Sequence, residues 1–322
     1  MTFASQASFA QKILNFQFQL VQPFEGSNVI NVSGLRSRVR ISQAAAVGNT
    51  TADASIFGLS QSLMNKLTTS VIVNRVTRNS VIISAGVNPG KGASTAAAAN
   101  VNSVMGFPVV FGGTIWLATG DYNNMPDVPL RLSAQLGLID AVVSATPPSF
   151  TGSTSIESIM QGFARKLTAP NGQPVAFENN NVSGNLDRPY FPGTIMQQVY
   201  QAAYHARINA QLVDGGTKLA IWPQGGSRTS QTSIPLISPD TGMIGYPTFA
   251  SGALMIVKMV YNPDVIYGGQ IQVQSDIPQA NGKWTVWELD LALDSLSPGG
   301  EWSGTAQCYP TGLAPPVPGA TR

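Results

Sequence analysis

The chain has 322 residues, of which 43% are hydrophobic and only 11% charged, and its formal net charge is +2. So small a net charge gives no electrostatic case for binding nucleic acid or an anionic membrane. The single cysteine, Cys308, excludes an internal disulfide and a cysteine-rich metal site. The charged fraction is less than half of the usual ~25%. This deficit favours a protein covered by neighbouring subunits, because charge is costly to desolvate and is depleted at interface cores. A neutral Ser/Asn/Gln-rich β protein that works alone is the alternative.

Two features of the sequence bear on targeting. The N-terminal residues lack the basic, apolar and small-residue sections of a signal peptide. No uninterrupted apolar stretch reaches the ~18 residues that a membrane span requires. We therefore expect neither a secretory leader nor a membrane-spanning segment.

The first part of the chain has the pattern of a β protein. Glycine and proline punctuate it at short intervals, and the runs between them alternate or are rich in β-branched residues. In the run 15–21, Phe16, Phe18 and Leu20 alternate with polar residues, as in a half-buried strand. Further strands are predicted over 37–42, 52–57, 79–85, 109–118, 130–137 and 141–145.

Two other features interrupt these strands. Ser60 is predicted to cap a short helix over 61–66, because a serine at this position can accept a hydrogen bond from the first helical turn. The stretch 88–102 is rich in Gly, Ala, Ser and Asn, which predicts an inserted loop.

The middle of the chain changes character. Thr154 with Glu157, and Thr194 with Gln197, each fit a capping box before an apolar pattern at helical spacing. Asp214-Gly215-Gly216 separates two predicted strands, 210–213 and 218–222, and is typical of a hairpin turn. Residues 146–224 are therefore predicted to form a small α+β domain.

Strands return from residue 238 onward. They are predicted over 253–261, 270–275, 284–293 and 303–309. Asn281-Gly282 predicts a tight turn between two of them. The Pro/Gly-rich tail after Pro310 predicts an extended or disordered segment.

The sequence contains little that points to catalysis. His205 is the only histidine, so a multi-histidine metal site is excluded and a Ser-His-Asp triad would need this residue. A place on the surface or in the packing of the second predicted helix is the favoured interpretation. Neither a G-x-S-x-G nucleophile elbow nor a phosphate-binding loop is present. We expect no catalytic, cofactor-binding or metal-binding residues and no cofactor.

Two constellations in the last predicted strands could still carry chemistry. Glu288 and Asp290 face the same side of a strand and could form a carboxylate dyad for glycoside hydrolysis, although a solvated or lumen-facing strand face is favoured. Trp284, Trp287 and Trp302 could form a sugar-binding platform. However, Trp284 and Trp287 point to opposite faces of an unbulged strand, so roles as core and interface anchors are favoured.

Several segments, taken in order, resemble a known family. In the C-terminal part they are Gly245-Tyr246-Pro247-Thr248, Val260-Tyr261-Asn262-Pro263-Asp264, Gly268-Gly269-Gln270-Ile271-Gln272-Val273-Gln274-Ser275, Asn281-Gly282-Lys283-Trp284-Thr285-Val286, Asp294-Ser295 and Pro298-Gly299-Gly300-Glu301-Trp302. In the N-terminal part they are Phe57-Gly58-Leu59 and Val110-Phe111-Gly112-Gly113-Thr114-Ile115, and in the middle Ser158-Ile159-Met160. Over roughly residues 14 to 310 the chain is similar to phage tail baseplate hub proteins and to the type VI secretion spike hub.

The resemblance implies a mainly-β fold with two β-barrel tube-like domains, at 14–145 and 225–310. It implies a small central α+β domain at 146–224, and the remaining residues 311–322 would form an extended tail. The Ala-rich insert at 92–100 departs from the family pattern, so a peripheral or partner-specific role for it is open.

The implied function is structural rather than enzymatic. Three copies would form a homotrimeric ring in the virion, at the tail baseplate, after assembly in the cytoplasm of the bacterial host. The ring would be a symmetry adapter between the six-fold tail tube and the three-fold central spike, and DNA would pass through its channel. The implied partners are the tail tube protein, the central spike protein, other baseplate subunits and the tape-measure protein.

Three alternatives remain. A tail tube or tube-initiator subunit is the structural one, although simple tube proteins are a single barrel and lack a central α+β domain. A tail-associated glycosidase that uses Glu288 and Asp290 is the enzymatic one. A receptor-binding or sugar-binding module at the baseplate rim is the third.

Overall fold

A computed structural model describes residues 11–44, 50–69, 79–88, 103–231, 233–250 and 253–313. Within these ranges the protein is mainly β, as predicted, with a large antiparallel sheet and a smaller part that contains helices. The predicted inserted loop, including 92–100, lies outside the described residues apart from its first residue, and so does the tail beyond residue 313.

The N-terminal part consists of strands and one short helix. The strands are β1 (Gln11–Phe24), β2 (Ser27–Val32), β3 (Ser37–Gln43), β4 (Thr50–Phe57), β5 (Ser80–Asn88), β6 (Ser103–Val104), β7 (Phe107–Gly120) and β8 (Pro129–Gln135). Phe16, Phe18 and Leu20 of β1 are buried, as their alternation predicts. Helix α1 (Gln61–Leu67) begins after Ser60, whose hydroxyl accepts a hydrogen bond from the Leu63 N–H, so the predicted cap is confirmed.

The prediction of a strand over 141–145 is wrong. Residues Leu138–Val142 form helix α2, which follows Gly137 in the left-handed region. The Ala141 N–H donates to the Gly137 carbonyl, and the Val143 N–H donates to the Ile139 carbonyl. Val142 and Val143 are exposed, so β-branched residues here do not indicate a buried strand.

The central part packs two helices on a small sheet. Its elements are β9 (Ser153–Ser155), α3 (Ile156–Ala164), β10 (Ala176–Asn179), β11 (Asn185–Asp187), α4 (Ile195–Ala206), β12 (Ile208–Val213) and β13 (Lys218–Pro223). The sheet has the order β10-β13-β12, and most of the buried apolar residues of this part form a hydrophobic cluster that is separate from the core of the large sheet. The predicted hairpin is confirmed, because Val213 pairs with Lys218 across the turn that contains Asp214.

The two predicted capping boxes have different outcomes. The box of Thr194 and Gln197 is present in full at the start of α4. The box of Thr154 and Glu157 is wrong, because Thr154 belongs to β9 and the cap of α3 is Ser155. Glu157 instead lies in the first turn of α3, where the positive end of the helix dipole stabilises its negative charge.

The C-terminal part returns to strands. They are β14 (Leu236–Ile237), β15 (Thr248–Ala250), β16 (Leu254–Val260), β17 (Gln270–Val273), β18 (Gly282–Ser295) and β19 (Trp302–Pro310). The predicted tight turn at Asn281-Gly282 is wrong, because Gly282 is already paired with Val273. The loop spans 274–281, and Asn281 closes it by accepting from the Ser275 N–H at 2.6 Å and donating to the Ser275 carbonyl at 3.0 Å.

The N-terminal and C-terminal strands belong to one sheet. Its order is β15-β16-β19-β18-β3-β4-β8-β7-β5-β1-β2, with β17 beside the first half of β18, β14 beside β17, and β6 beside β7. The joint between the two parts is the antiparallel pairing of β18 with β3, from Leu289↔Gln43 to Ser295↔Ser37. Among the described strands the two ends of this order, β15 and β2, do not pair with each other, so the sheet does not close into a barrel. One hydrophobic core extends under both parts.

The two parts of the sheet repeat one strand pattern. The order β3-β4-β8-β7-β5 in the N-terminal part has the same antiparallel pairings as β15-β16-β19-β18-β17 in the C-terminal part. β7 and β18 are the corresponding long strands, and each has 14 residues. In both cases the neighbouring strand, β5 or β17, pairs with only the first part of the long strand among the described residues.

A shared irregularity supports this correspondence. One extra residue interrupts the pairing of β7 with β8 and of β18 with β19 at the corresponding position, and this residue is a tryptophan in both strands, Trp116 and Trp287. The pairs on either side are Ile115↔Ala134 and Leu117↔Ser133 in β7, and Val286↔Cys308 and Glu288↔Gln307 in β18.

β7 also approaches the hairpin of the central part closely. A Cβ atom on Gly112 would overlap the carbonyl oxygen of Gly215, which lies in the hairpin turn at a φ of +69°. A Cβ atom on Gly215 would in turn meet a methyl group of Val109 at 2.5 Å. Only glycine lets the two backbones meet at this distance.

Gly112→Ala is therefore expected to lower the free energy of unfolding by ~1–3 kcal/mol, the usual cost of forcing extra volume into a packed site. Equilibrium unfolding in urea, followed by circular dichroism, measures this change. Gly162→Ala is the matched control, because no heavy atom lies within 4 Å of a Cβ at this position in α3. There the change should stabilise the helix by ~0.5–1 kcal/mol. Equal effects at the two sites would contradict the close approach.

Candidate functional site: the joints and edges of the sheet

The structure gives His205 an unremarkable environment. It is exposed in the last turn of α4, with its ring centroid 6.1 Å from that of Phe191 and 5.9 Å from that of Tyr204. The predicted location on the helix surface is confirmed. In the ranges that the structure covers, no group of three or more His, Cys, Asp and Glu side chains could hold a metal ion. No helix of the described chain is long and apolar enough to cross a membrane.

Glu288 and Asp290 do face the same side of β18, as predicted, since Leu289 and Leu291 between and beyond them are buried. Burial raises the pKa of Glu288, and the nearby charge of Asp290 raises it further. However, a shallow depression of about 240 Å³ on this face is lined by Asp290 and not by Glu288. Of the two carboxylates only Asp290 lines this depression, whereas glycoside hydrolysis uses a pair of carboxyl groups that flank the scissile bond.

The three tryptophans do not form a platform. Trp284 and Trp302 are 7% and 6% exposed and belong to the main core, so their predicted role as core anchors is confirmed. The indole N–H of Trp284 donates to the Ala280 carbonyl at 2.8 Å. Trp287 is the extra residue of the bulge and packs edge-on against Tyr309, with ring centroids 5.9 Å apart.

A buried ion pair joins the central part to the segment that leads into the C-terminal strands. Arg228 is 4% exposed. It donates from Nε to Oε1 of Glu178 at 3.0 Å and from Nη2 to Oε2 at 3.1 Å. The side-chain oxygen of Asn180 accepts from the N–H groups of Thr229 and Ser230. Residues 228–230 are therefore held by side chains of β10 and of the residue that follows it.

The electrostatics of this joint favour the charged pair. Burial alone would raise the pKa of Glu178, but the hydrogen bonds and charge of Arg228 outweigh it and lower the pKa to about 2. Beside the pair, Trp222 packs edge-on against Tyr267 with ring centroids 6.0 Å apart. The Tyr309 hydroxyl donates to the Gly226 carbonyl at 2.7 Å. The central part is thus fixed to the sheet by both polar and aromatic contacts.

Sequence reasoning missed this joint. Glu178 and Arg228 are 50 residues apart, and neither lies in a recognisable motif. The one available signal is the scarcity of charged residues, which make up 11% of the chain. Arginine is almost never fully buried unless it is paired, so a buried arginine in such a chain is expected to have an acidic partner.

The joint of β3 and β18 is also reinforced by side chains. Arg40 donates to Asp294 at 2.7 Å, and the side chain of Asp294 is only 8% exposed. The second oxygen of Asp294 accepts from the Glu301 N–H at 3.1 Å. The Ser295 hydroxyl donates to the Lys12 carbonyl in β1. Residues from three distant parts of the sequence, at Lys12, at Arg40 and over 294–301, therefore stabilise the pairing of β3 with β18.

Two surfaces at the margins of the sheet expose large apolar side chains. The first, which we call the β15 edge, comprises residues 242–250 and exposes Ile244, Tyr246 and Phe249. The second, which we call the β7 end, comprises residues 116–122 and exposes Trp116, Leu117 and Tyr122. Clusters of this kind mark interaction surfaces more often than isolated exposed residues do.

A protein-family model described as "Baseplate hub gp41" matches residues 13–298 of the sequence. The chain belongs to the baseplate hub gp41 family. The match includes strands of both parts of the sheet and the whole central part, and it confirms the resemblance to baseplate hub proteins of phage tails. No curated protein matches the sequence of this baseplate hub protein.

Solved structures of tail proteins share its fold. A tail protein from Neisseria meningitidis is 11% identical with a TM-score of 0.59, over 94% of this chain and 98% of that one. A 43 kDa tail protein of prophage MuSo2 from Shewanella oneidensis is 8% identical with a TM-score of 0.59, over 95% and 99%. A type VI secretion component from E. coli is 9% identical with a TM-score of 0.53, over 88% and 76%. At such identities the likeness concerns the fold.

Proposed function

We propose that this baseplate hub protein is the structural ring subunit of a phage tail baseplate. Three copies form a ring that adapts the six-fold tail tube to the three-fold central spike and surrounds the DNA channel. The repeated strand pattern carries this proposal, because two related modules in each of three chains present six similar units. The family match supports the baseplate as the location.

The proposal extends to the organisation of the chain. The two modules correspond to tube-like barrel domains at 14–145 and 225–310, with the α+β domain at 146–224 outside the ring and 311–322 as an extended tail. The pairing of β3 with β18 supports a ring in which neighbouring modules share a continuous sheet. The scarcity of charge supports subunits with neighbours on several sides.

The partners follow from this arrangement. The tail tube protein binds one side of the ring and the central spike protein the other, and other baseplate subunits and the tape-measure protein contact its margins. The E. coli neighbour is described as structurally similar to the tail proteins gp27 and gp5 of phage T4, which supports a place in a phage tail. The subunit acts by assembly, without catalysis or a cofactor, and it assembles in the host cytoplasm.

The mass of the assembled protein tests this proposal. Three copies of the 33.9 kDa chain amount to about 102 kDa, and a closed ring with heterologous contacts should give this mass without a ladder of larger species. Light scattering coupled to size exclusion, or mass photometry, measures it. A particle of six chains would favour the tube-subunit alternative, and a monomer at every concentration would contradict the ring.

A further inference from the structure

The surface of the central part exposes three large apolar side chains, and all three are tyrosines. Tyr190, Tyr200 and Tyr204 are 68%, 55% and 67% exposed, whereas the opposite face of α4 belongs to the hydrophobic cluster of this part. Tyr200 and Tyr204 are four residues apart on α4, so they are neighbours along one face of the helix. Tyr190 lies near them, because the adjacent Phe191 contacts His205 and His205 contacts Tyr204.

A groove continues this surface toward the N-terminal end of α4. It has a volume of about 530 Å³ and is lined by side chains of α4, of the loop before α4 and of α2, among them Tyr200, Met196, Pro192 and Ala141. None of its described lining residues is charged. An uncharged groove with an aromatic wall is typical of sites that bind an extended proline-rich segment.

The last described residues of the chain lie at one end of α4. The Gly312 N–H donates to the Gly225 carbonyl at 3.1 Å, and Gly225 lies two residues after Pro223, the last residue of β13. Pro223 pairs with Ile208, which begins β12 directly after the C-terminal end of α4. The residues that follow Gly312 therefore start near the end of α4 that carries Tyr204.

The residues that follow have the composition and the length to reach the groove. We call residues 314–322, which lie outside the described residues, the proline segment. It contains Pro315, Pro316 and Pro318, and its one charged side chain is Arg322. Such sequences favour the polyproline II helix, which rises ~3.1 Å per residue with three residues per turn. Its nine residues therefore span about 28 Å, whereas α4 with 12 residues is about 18 Å long.

We propose that the proline segment docks on α4 of its own chain and runs from Tyr204 into the groove. In a polyproline II helix Pro315 and Pro318 share one face and lie ~9.3 Å apart. Along the axis of α4, Tyr200 lies ~6 Å and Met196 ~12 Å from Tyr204. Pro315 therefore fits between the two tyrosine rings when Pro318 lies beside Met196 in the groove.

The chemistry of the two surfaces is complementary. Proline presents C–H groups, and the face of a tyrosine ring is the negative side of its quadrupole, so the two pack favourably. Proline also loses little backbone freedom on docking, because its φ is already fixed. Neither 315–318 nor the described lining of the groove carries a charge, so docking removes apolar surface from water without burying a charge. The contact does not depend on the ring, since both surfaces belong to one chain.

Nitration of exposed tyrosines with tetranitromethane, quantified by peptide mass spectrometry, tests the docking in the full chain. The initial rates at Tyr200 and Tyr204 should be about tenfold lower in the full chain than in a variant that ends at Leu313, because a segment docked about nine-tenths of the time hides the rings for that fraction. Tyr246, which is 62% exposed at the β15 edge, is the internal control and should react equally in both proteins.

Substitutions within the proline segment separate the docked face from the mere presence of a longer chain. Pro315→Ser/Pro318→Ser keeps the length and should restore most of the reactivity of both tyrosines. Pro316→Ser is the matched control, because Pro316 lies on another face of the polyproline II helix, and it should keep most of the protection. Equal rates in the full chain and in the variant that ends at Leu313 would overturn the proposal, and so would equal effects of the two sets of proline substitutions.

Cross-linking shows whether the docked segment belongs to the same chain. Gln201→Cys/Val317→Cys is treated with a short bis-maleimide and analysed by denaturing electrophoresis and intact mass. The native thiol does not compete, since Cys308 is fully buried and burial raises the pKa of its thiol. Gln224→Cys/Val317→Cys is the matched control, because Gln224 is exposed next to Gly225, near which the segment starts.

The expected result is a link within one chain that forms faster in the Gln201→Cys variant than in the Gln224→Cys variant. A segment free in solution would link faster to position 224, which is closer to its start, and this order would overturn the proposal. Covalent dimers in place of links within one chain would place the segment on another copy and would also overturn it. Neither result would bear on the mass of the assembled ring, which mass photometry measures separately.

Discussion

Trp302→Ala and Trp284→Ala are each expected to lower the free energy of unfolding by ~3–5 kcal/mol, the usual cost of deleting a buried aromatic side chain. Trp302 packs edge-on against Tyr261 with ring centroids 5.7 Å apart, and its carbonyl accepts from the Tyr261 N–H at 3.1 Å. Trp284 packs against Phe249 at the other end of the C-terminal strands. Both rings belong to the core that the two parts of the sheet share.

Urea unfolding followed by circular dichroism measures these changes. Tyr200→Ala is the control, because the Tyr200 ring on α4 is 55% exposed, and an exposed site usually changes stability by no more than ~0.5 kcal/mol. An unchanged free energy of unfolding in both tryptophan variants would contradict the placement of these side chains in the core.

Arg228→Met is expected to lower the free energy of unfolding by ~3–5 kcal/mol, because it removes both guanidinium hydrogen bonds from the largely buried carboxylate of Glu178 and leaves it, among the described residues, only the more distant ammonium of Lys218, 4.0 Å away, as a cationic partner. The double variant Arg228→Met/Glu178→Met removes both charges and should recover part of this loss, since well-packed apolar residues often replace a buried pair at little cost. The same unfolding measurement on the two single variants and the double variant gives their coupling energy. If the double variant loses as much as the two single variants added together, the pair is not coupled as the distances indicate.

The same ion pair predicts a dependence on pH. The pKa of Glu178 is lowered from 4.5 to about 2 in the folded protein. A lowered pKa contributes stability that is fully present above the unfolded value and is lost as the pH falls through the folded value. Stability should therefore decline between about pH 4.5 and pH 2, and Glu178→Gln should remove part of this decline. An identical acid profile in the variant would show that Glu178 does not contribute to it.

The local elements could largely be predicted from the sequence. Alternation in β1 and the turn residues around Asp214 act over a few neighbouring residues, and both predictions agree with the structure. Two wrong predictions, the strand over 141–145 and the tight turn at Asn281-Gly282, show where local patterns mislead. Val142 and Val143 are exposed in and beside a helix, and Asn281 closes its loop with a side chain rather than forming a two-residue turn.

The features that matter for assembly depend on contacts distant in sequence. Asp290 pairs with Ser42 across the β3–β18 joint although about three quarters of the chain separates them, and no local sequence pattern predicts such a pairing. The correspondence of Trp116 and Trp287 has only a short signal in the sequence, Thr114-Ile115-Trp116 against Thr285-Val286-Trp287, and it takes the strand register to establish it. The resemblance to hub proteins predicted two modules, and the register supplies the residues that relate them.

We propose that two related modules in each chain let three copies imitate a six-fold ring. Electron microscopy of the purified assembly, viewed along its axis, tests it most directly. We expect a closed ring of three chains with six similar lobes around an open channel. A compact particle without a channel, or a ring whose lobes number three, would contradict it.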